Sequence, residues 1–208
     1  MALEKIKRLK NIGEIEYIEK KSTFIGFSAF AENENRALEI IKERKKKYAD
    51  ATHNVYAYIT DNGSVQRYSD DKEPQGTAGM PVLGSIRKSG LTDICVVVTR
   101  YFGGILLGAG GLVRAYSTAA SEAIEAGGVS VYEQYSVMRV CCSYSDYQRL
   151  LPELNTISAK IDSVQYASQV EIVFAVREEI SDAFCRRINE IFAGRVTVEK
   201  TGTRLDFE

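Results

Sequence analysis

A glycine-rich segment that follows an apolar strand pattern constrains the fold most. Nine of the 16 glycines lie within residues 76–111. Residues 94–98, ICVVV, form a run typical of a strand buried in a sheet. The chain then passes through GGILLGAGG (103–111) into apolar residues at helical spacing, which stop at Gly127 and Gly128. We therefore expect a buried strand, a tight loop and a helix over 111–126.

The first 60 residues predict a mixed α/β start. The runs 14–20 and 22–30 alternate as strands and predict a hairpin. Asn33 or Asn35 is expected to cap a helix that ends near residue 48. The helical spacing assigns four residues to its apolar side: Ala37, Leu38, Ile41 and Tyr48. The basic run at 42–47 is interpreted as a solvated helix end, and 53–60 alternates as a strand.

The last third of the chain carries a complete βαββαβ pattern, the ferredoxin-like order. Strand patterns occupy 136–142, 158–167, 169–176 and 195–207, and a helix at 178–192 is closed by Gly194. The other helix starts at Ser143 or Ser145, and Pro152 is expected to kink or end it. These patterns predict an α+β protein with two domains, 1–134 and 135–208.

Composition and charge exclude several classes of protein. Hydrophobic residues make up 45% and charged residues 26% of 208 residues, unlike a disordered chain. The net charge of −1 gives no bulk attraction for nucleic acid, so any anion site must be local. No apolar run approaches the about 20 residues that cross a bilayer, and the N-terminus lacks a signal-peptide pattern. The four cysteines show no zinc-site spacing, which favours a cytoplasmic protein with reduced thiols.

The loop before the 111–126 helix has the chemistry of an anion site. Gly108, Gly110 and Gly111 leave backbone N–H groups open at a helix N-terminus, where phosphate binds well. Arg114 is expected in the first helical turn, and Arg100 ends the preceding strand. Two interpretations remain open on this chemistry: a phosphate site, or turn glycines with arginines that pair with carboxylates.

An acidic loop supplies those carboxylates. Asp70, Asp71 and Glu73 precede Pro74, and Thr77 follows in GTAG. Three carboxylates can hold Mg²⁺, but ion pairs with the arginines are the favoured interpretation. His53 is the only imidazole, and no serine or cysteine lies in a nucleophile motif. The adjacent Cys141 and Cys142 are expected on opposite faces of a strand, one of them in the core.

Three strings resemble the IMPACT/YigZ family: HNVYA (53–57), SDDKEPQGTAGMPVL (69–83) and VVVTRYFGGILLGAGGLVRAYSTAA (96–120). The resemblance implies an N-terminal fold similar to domain 2 of a ribosomal small-subunit protein. It also implies a C-terminal ferredoxin-like domain resembling the last domain of elongation factor G. The strings carry the family's signature positions: His53, Asp70, Asp71, Glu73, Pro74, Gly76, Thr77, Gly79, Arg100, Tyr101, Gly103, Gly104, Gly108, Gly110, Gly111 and Arg114. Lys72 replaces a frequent glycine, and Leu106 replaces a frequent lysine.

The resemblance implies a link to translation, because eukaryotic members regulate an initiation-factor kinase by competing for its activator. We expect an RNA- or ribosome-associated binding protein. Its expected phosphate site comprises Arg100, Tyr101, Gly103, Gly104, Gly108, Gly110, Gly111 and Arg114. The alternatives are an enzyme acting on a nucleotide or phosphorylated small molecule, and a module that binds a protein partner in translation. The sequence assigns no catalytic residue, metal ligand or cofactor, and it leaves the oligomeric state open.

Overall fold

The structure is a computed structural model that describes residues 5–207. Two compact units divide these residues between Val131 and Tyr132. The first unit runs from Ile6 to Val131, and the second comprises the remaining described residues. The mixed α+β class expected from the sequence is confirmed.

The first unit contains a five-stranded sheet in which every neighbouring pair is antiparallel. The order is β2-β3-β6-β4-β5. These strands are β2 (Gly13–Glu19), β3 (Ser22–Phe30), β4 (His53–Thr60), β5 (Val65–Ser69) and β6 (Ile94–Tyr101), and a short β1 (Ile6–Leu9) precedes them. The hairpin predicted over 14–30 is confirmed by the pairing of β2 with β3. The apolar run at 94–98 lies in β6, the central strand, where all five residues are fully buried.

Helices cover both faces of this sheet. Helix α1 (Glu34–Lys47) packs Ala37, Ile40 and Ile41 against one face. Helices α2 (Gly79–Ser89) and α3 (Gly108–Gly127) enclose a larger core on the other face. A sheet with two apolar faces buries both only when each is covered, which explains the uninterrupted apolar run in β6.

Three details of the first unit differ from the sequence expectations. Leu38 is 48% exposed, so its assignment to the apolar side of α1 was wrong. Arg44 takes a buried position instead, because it pairs with Glu14 at 2.9 Å and its guanidinium lies 4.1 Å from the Phe27 ring centre. Helix α2 was not predicted from the sequence. Helix α3 begins at Gly108 and not at 111, which places Arg114 in its second turn.

The second unit has the predicted ferredoxin-like order. Its elements are β7 (Val129–Cys142), which begins in the first unit, α4 (Tyr144–Thr156), β8 (Lys160–Tyr166), β9 (Val170–Arg177), α5 (Glu178–Ile191) and β10 (Val198–Phe207). The strand order is β10-β7-β9-β8, and β1 also pairs with β7. Pro152 lies inside α4, and the helix continues to Thr156, so of the two expectations for this proline, a kink or an end, the end is excluded. Cys141 is exposed and Cys142 is buried, as predicted for opposite faces of one strand.

Candidate functional site

The glycine-rich segment leaves β6 and enters α3 across a loop of six residues, 102–107. Gly103 is required by a close approach: a Cβ there would lie 1.9 Å from the Lys21 carbonyl oxygen. Gly108 has φ +72, a conformation that favours glycine over other residues. Gly110 has no such requirement, because its nearest neighbour would be Arg114 Nη1 at 3.8 Å. The fold therefore explains the first two glycines and leaves the third without a structural reason.

A pocket of about 420 Å³ opens beside this segment. Its volume falls within the roughly 300–1,000 Å³ typical of small-ligand sites. Six apolar residues form most of its wall: Pro74, Phe102, Leu106, Leu107, Ala109 and Leu112. The polar lining residues are Thr52, His53, Glu73 and Arg100, and Gly108 completes the lining. The predicted loop, strand end and helix start thus meet around one cavity.

Glu73 and Arg100 form a buried ion pair at this pocket. Arg100 Nη1 donates to Glu73 Oε1 at 2.6 Å, and the two side chains are only 6% and 4% exposed. The Tyr116 hydroxyl donates to the same oxygen at 2.7 Å. Burial, and then the nearby Glu73 charge, raise the pKa of Tyr116 far above its usual range, so this hydroxyl keeps its proton and remains a donor. This pairing confirms the favoured sequence interpretation for Arg100, whereas the ion pair expected for Arg114 is not found among residues 5–207.

His53 lies opposite Arg100 in the register of β4 and β6. Its Nδ1 is 2.8 Å from the carbonyl oxygen of Asp71. A carbonyl only accepts, so Nδ1 carries the hydrogen and Nε2 is an acceptor in the neutral ring. This Nε2 lies 3.6 Å from Glu73 Oε1, beyond hydrogen-bonding distance. Within residues 5–207, neither His53 Nε2 nor Glu73 Oε2 has a hydrogen-bond partner.

Asp70 and Asp71 hold the acidic loop in place. Asp70 accepts hydrogen bonds from the N–H groups of Gly76, Ala78 and Gly79, at 2.9, 3.1 and 2.7 Å. These bonds fix the start of α2. Asp71 accepts from the Asn54 N–H at 2.6 Å and pairs with Lys45 at 3.2 Å. In the described part of the chain, no group of three or more His, Cys, Asp or Glu side chains could hold a metal ion.

Thr77 and Gly79 also support this loop rather than line the pocket. The Thr77 hydroxyl donates to the Pro74 carbonyl oxygen at 2.6 Å. A Cβ on Gly79 would lie 2.8 Å from Ser69 backbone atoms, so only glycine fits there. Tyr101 faces away toward Asp50, whose carboxylate accepts its hydroxyl at 2.9 Å. The remaining signature glycines, Gly76 and Gly104, have positive φ angles and open surroundings.

The first turn of α3 is open to solvent. Leu107 precedes it and provides no side-chain cap. The N–H groups of Gly108, Ala109 and Gly110 donate no hydrogen bond to another described residue. Arg114 is exposed and makes no ion pair or hydrogen bond within residues 5–207. Its guanidinium lies beside Gly110, so the unpaired cation and the unpaired N–H groups share one surface.

The structure therefore divides the predicted site residues into two groups. His53, Glu73 and Arg100 lie together at the pocket, and Gly108, Gly110, Gly111 and Arg114 form its neighbouring helix end. Tyr116, whose hydroxyl reaches Glu73, was not among the predicted site residues. A buried tyrosine needs a partner for its hydroxyl, and this requirement is the signal that could have assigned it to the site.

No helix among the described residues is long and apolar enough to cross a membrane.

Comparison with known proteins identifies the family. Residues 20–124 match the Impact N-terminal domain, and residues 140–195 match a domain of unknown function, DUF1949. The IMPACT family member YvyE of Bacillus subtilis is 37% identical over 193 residues, which cover 92% of this chain and 89% of that protein. The IMPACT family member YigZ of Escherichia coli is 40% identical over 108 residues, covering 50% of this chain and 53% of that protein.

A solved structure described as the crystal structure of a hypothetical protein shares the fold. Its TM-score is 0.61 at 27% identity, and the match covers 95% of this chain and 98% of that one. The family match, the extent of the YvyE match and the signature strings around the pocket agree. The chain belongs to the IMPACT family.

Proposed function

We propose that the protein binds RNA in the context of translation and holds RNA phosphate at the first turn of α3. The observation that carries this proposal is the exposed helix end, whose N–H groups have no partner, beside the unpaired Arg114. Backbone N–H groups at helix N-termini and arginine side chains are the common protein contacts to RNA phosphate. The resemblance to translation regulators among eukaryotic IMPACT proteins supports the biological setting.

The arginine that contacts phosphate in this proposal is Arg114 and not Arg100. Arg100 is only 5% exposed, and Glu73 already neutralises its charge. Arg114 lies in the second turn of α3, beside the N–H groups of the first turn, and no carboxylate among residues 5–207 neutralises its charge. A bound phosphate accepts charge-assisted hydrogen bonds from the guanidinium and lies at the positive end of the helix dipole. The electrostatics therefore favour an anion at this surface.

A salt series tests the proposal. Labelled single-stranded RNA, bulk tRNA and ribosomes are titrated with the full chain between 50 and 300 mM KCl. Arg114→Ala is expected to reduce the slope of log affinity against log salt for single-stranded RNA by about 0.7, the value for one lost phosphate contact. Arg36→Ala is the matched control, because Arg36 is exposed on α1 and already pairs with Glu39. An unchanged slope in Arg114→Ala refutes the site.

A glycine pair separates ligand binding from stability. Gly110→Ala and Gly84→Ala both add a methyl group within a helix, at positions where no protein atom lies closer than 3.8 Å. Both are expected to raise helix stability by about 0.5–1 kcal/mol. Only Gly110→Ala is expected to weaken RNA binding, because its methyl group lies where phosphate approaches the N–H groups. Equal RNA binding by the two variants contradicts the proposal.

A second candidate function is an enzyme that acts on a nucleotide or phosphorylated small molecule. The pocket, with unbonded acceptor atoms on His53 and Glu73, favours it. Nucleotides with and without Mg²⁺ are tested for their effect on the melting temperature. A ligand that binds only the native state raises that temperature, and the increase grows as the ligand concentration exceeds the dissociation constant. No shift at millimolar nucleotide counts against this candidate.

A further inference from the structure

The polar end of the pocket beside α3 carries two acceptor atoms that have no hydrogen-bond partner among the described residues. Glu73 is 8% exposed, yet its Oε2 accepts no hydrogen bond from residues 5–207. His53 adds a second unbonded acceptor, Nε2, within the same lining. Neither atom is a buried atom left without a partner, so both are accessible from the cavity and can accept hydrogen bonds from a ligand. The polar end of the pocket therefore favours a ligand that brings two donors.

The rest of the pocket suits a flat apolar ring. Phe102, Leu106 and Leu112 form part of its wall, and Phe102 is 46% exposed. The Arg100 guanidinium lies 5.4 Å from the Phe102 ring centre, which extends the flat surface. Proteins that recognise single-stranded RNA stack splayed bases on aromatic rings or guanidinium planes and bond to their Watson–Crick edges. The start of α3, which supplies Gly108 and Ala109 to the lining, places phosphate-binding N–H groups at the same cavity.

We infer that this pocket binds the guanine base of a nucleotide whose phosphate lies at the start of α3. Guanine is the one standard base whose Watson–Crick edge offers two adjacent donor groups, N1–H and the N2 amino group. Those two donors match the two acceptors, Glu73 Oε2 and His53 Nε2. Adenine and cytosine offer a single amino group there, and uracil offers a single N–H. The inference rests on the proposed phosphate site, and it adds the base that the neighbouring pocket selects.

The nucleotide can be free or part of an RNA strand, since both carry the same base and phosphate. The first arm of the test therefore uses free GMP, IMP, AMP, CMP and UMP, with affinity measured by calorimetry. The second arm uses a short oligouridylate with one central G, inosine or A. Inosine retains N1–H and lacks the amino group, so it removes one of the two expected hydrogen bonds. These substitutions change the ligand and leave the folded protein intact.

The expected order of affinity is G above inosine above A in at least one arm. Loss of both hydrogen bonds is expected to weaken binding roughly 5- to 100-fold, the range for a bidentate base contact. Phe102→Ala is expected to reduce the preference for G, because it removes a stacking surface. Phe30→Ala is the matched control: Phe30 is 41% exposed and pairs with Ile94, at the opposite end of β6 from the pocket. His53→Phe is expected to bring the affinities for G and inosine together.

The outcomes separate this inference from the proposed function. RNA binding that is equal for G, inosine and A overturns the guanine pocket and leaves RNA binding in place. Preference for GMP without any RNA binding supports the pocket and overturns the proposed RNA function. Absence of binding in both arms overturns both. A preference for G that survives in Phe102→Ala and disappears in Phe30→Ala also overturns the pocket assignment.

Discussion

Replacement of Glu73 by alanine is expected to destabilise the first unit strongly. Arg100 would lose its 2.6 Å partner while its side chain stays 6% exposed. Removal of one member of a buried ion pair costs about 3–5 kcal/mol, because the other charge remains away from water. Ser22 Oγ, at 3.4 Å, is the only other hydrogen-bond acceptor that Arg100 has among the described residues, and a neutral hydroxyl does not compensate for a carboxylate. Tyr116 would also lose the acceptor of its hydroxyl.

The double variant Glu73→Ala/Arg100→Met tests this reasoning directly. Because it removes both charges, we expect it to be at least about 2 kcal/mol more stable than Glu73→Ala. Stability is measured by urea unfolding, and amide hydrogen exchange in β6 assigns the change to the first unit. The exposed pair Arg36–Glu39 is the control, whose removal is expected to cost about 0.2–0.5 kcal/mol. A cost for Glu73→Ala as small as that of the control would refute the buried pair.

Three further substitutions are expected to change the free energy of unfolding or its dependence on pH. Asp70→Ala is expected to lower the free energy of unfolding by about 0.5–2 kcal/mol in urea titrations, because the start of α2 loses its acceptor. Lys72→Gly is expected to raise the free energy of unfolding by about 0.5–1 kcal/mol. Lys72 has φ +71, and the relief of this left-handed strain exceeds the cost of the entropy that glycine adds to the unfolded chain. The hydrogen bond from Arg44 lowers the pKa of Glu14 below its ordinary 4.5, against the effect of burial. That stabilisation is present above pH 4.5 and is lost as pH falls through the lowered pKa, so Glu14→Gln should flatten the acid side of the stability profile.

The elements predicted correctly from sequence are those whose signals are local. Asn33 caps α1 through a 3.0 Å bond from the Arg36 N–H, as the residue type indicated. Helix α2 was missed because GTAGMPVLG contains three glycines and a proline, which together resemble a turn. Pro81 is the third residue of α2, in the first turn, where its missing N–H has no cost. Burial of Val82 and Ile86 stabilises this helix, and that packing is a tertiary effect.

The site was predictable as a set of residue types and not as a set of contacts. The family strings gave His53, Glu73 and Arg100, but their proximity depends on the register of β4 against β6. Leu38 was misassigned because a charged residue, Arg44, occupies the buried position that completes the helical spacing. A sequence pattern treats arginine as exposed, and only the ion pair with Glu14 reverses that expectation.

The two arginines of the signature string have different physical roles, and this difference determines which variants are informative about function. Arg100 is buried and paired, so any substitution there perturbs Glu73 and the pocket along with any bound anion. A loss of RNA binding in an Arg100 variant would therefore follow from either a lost contact or a damaged fold. Arg114 is exposed and unpaired in the described chain, and its removal leaves every observed hydrogen bond intact. A binding defect in Arg114→Ala can therefore be assigned to a lost contact with the ligand and not to a damaged fold. Arg114→Ala is for this reason the variant that tests the anion site.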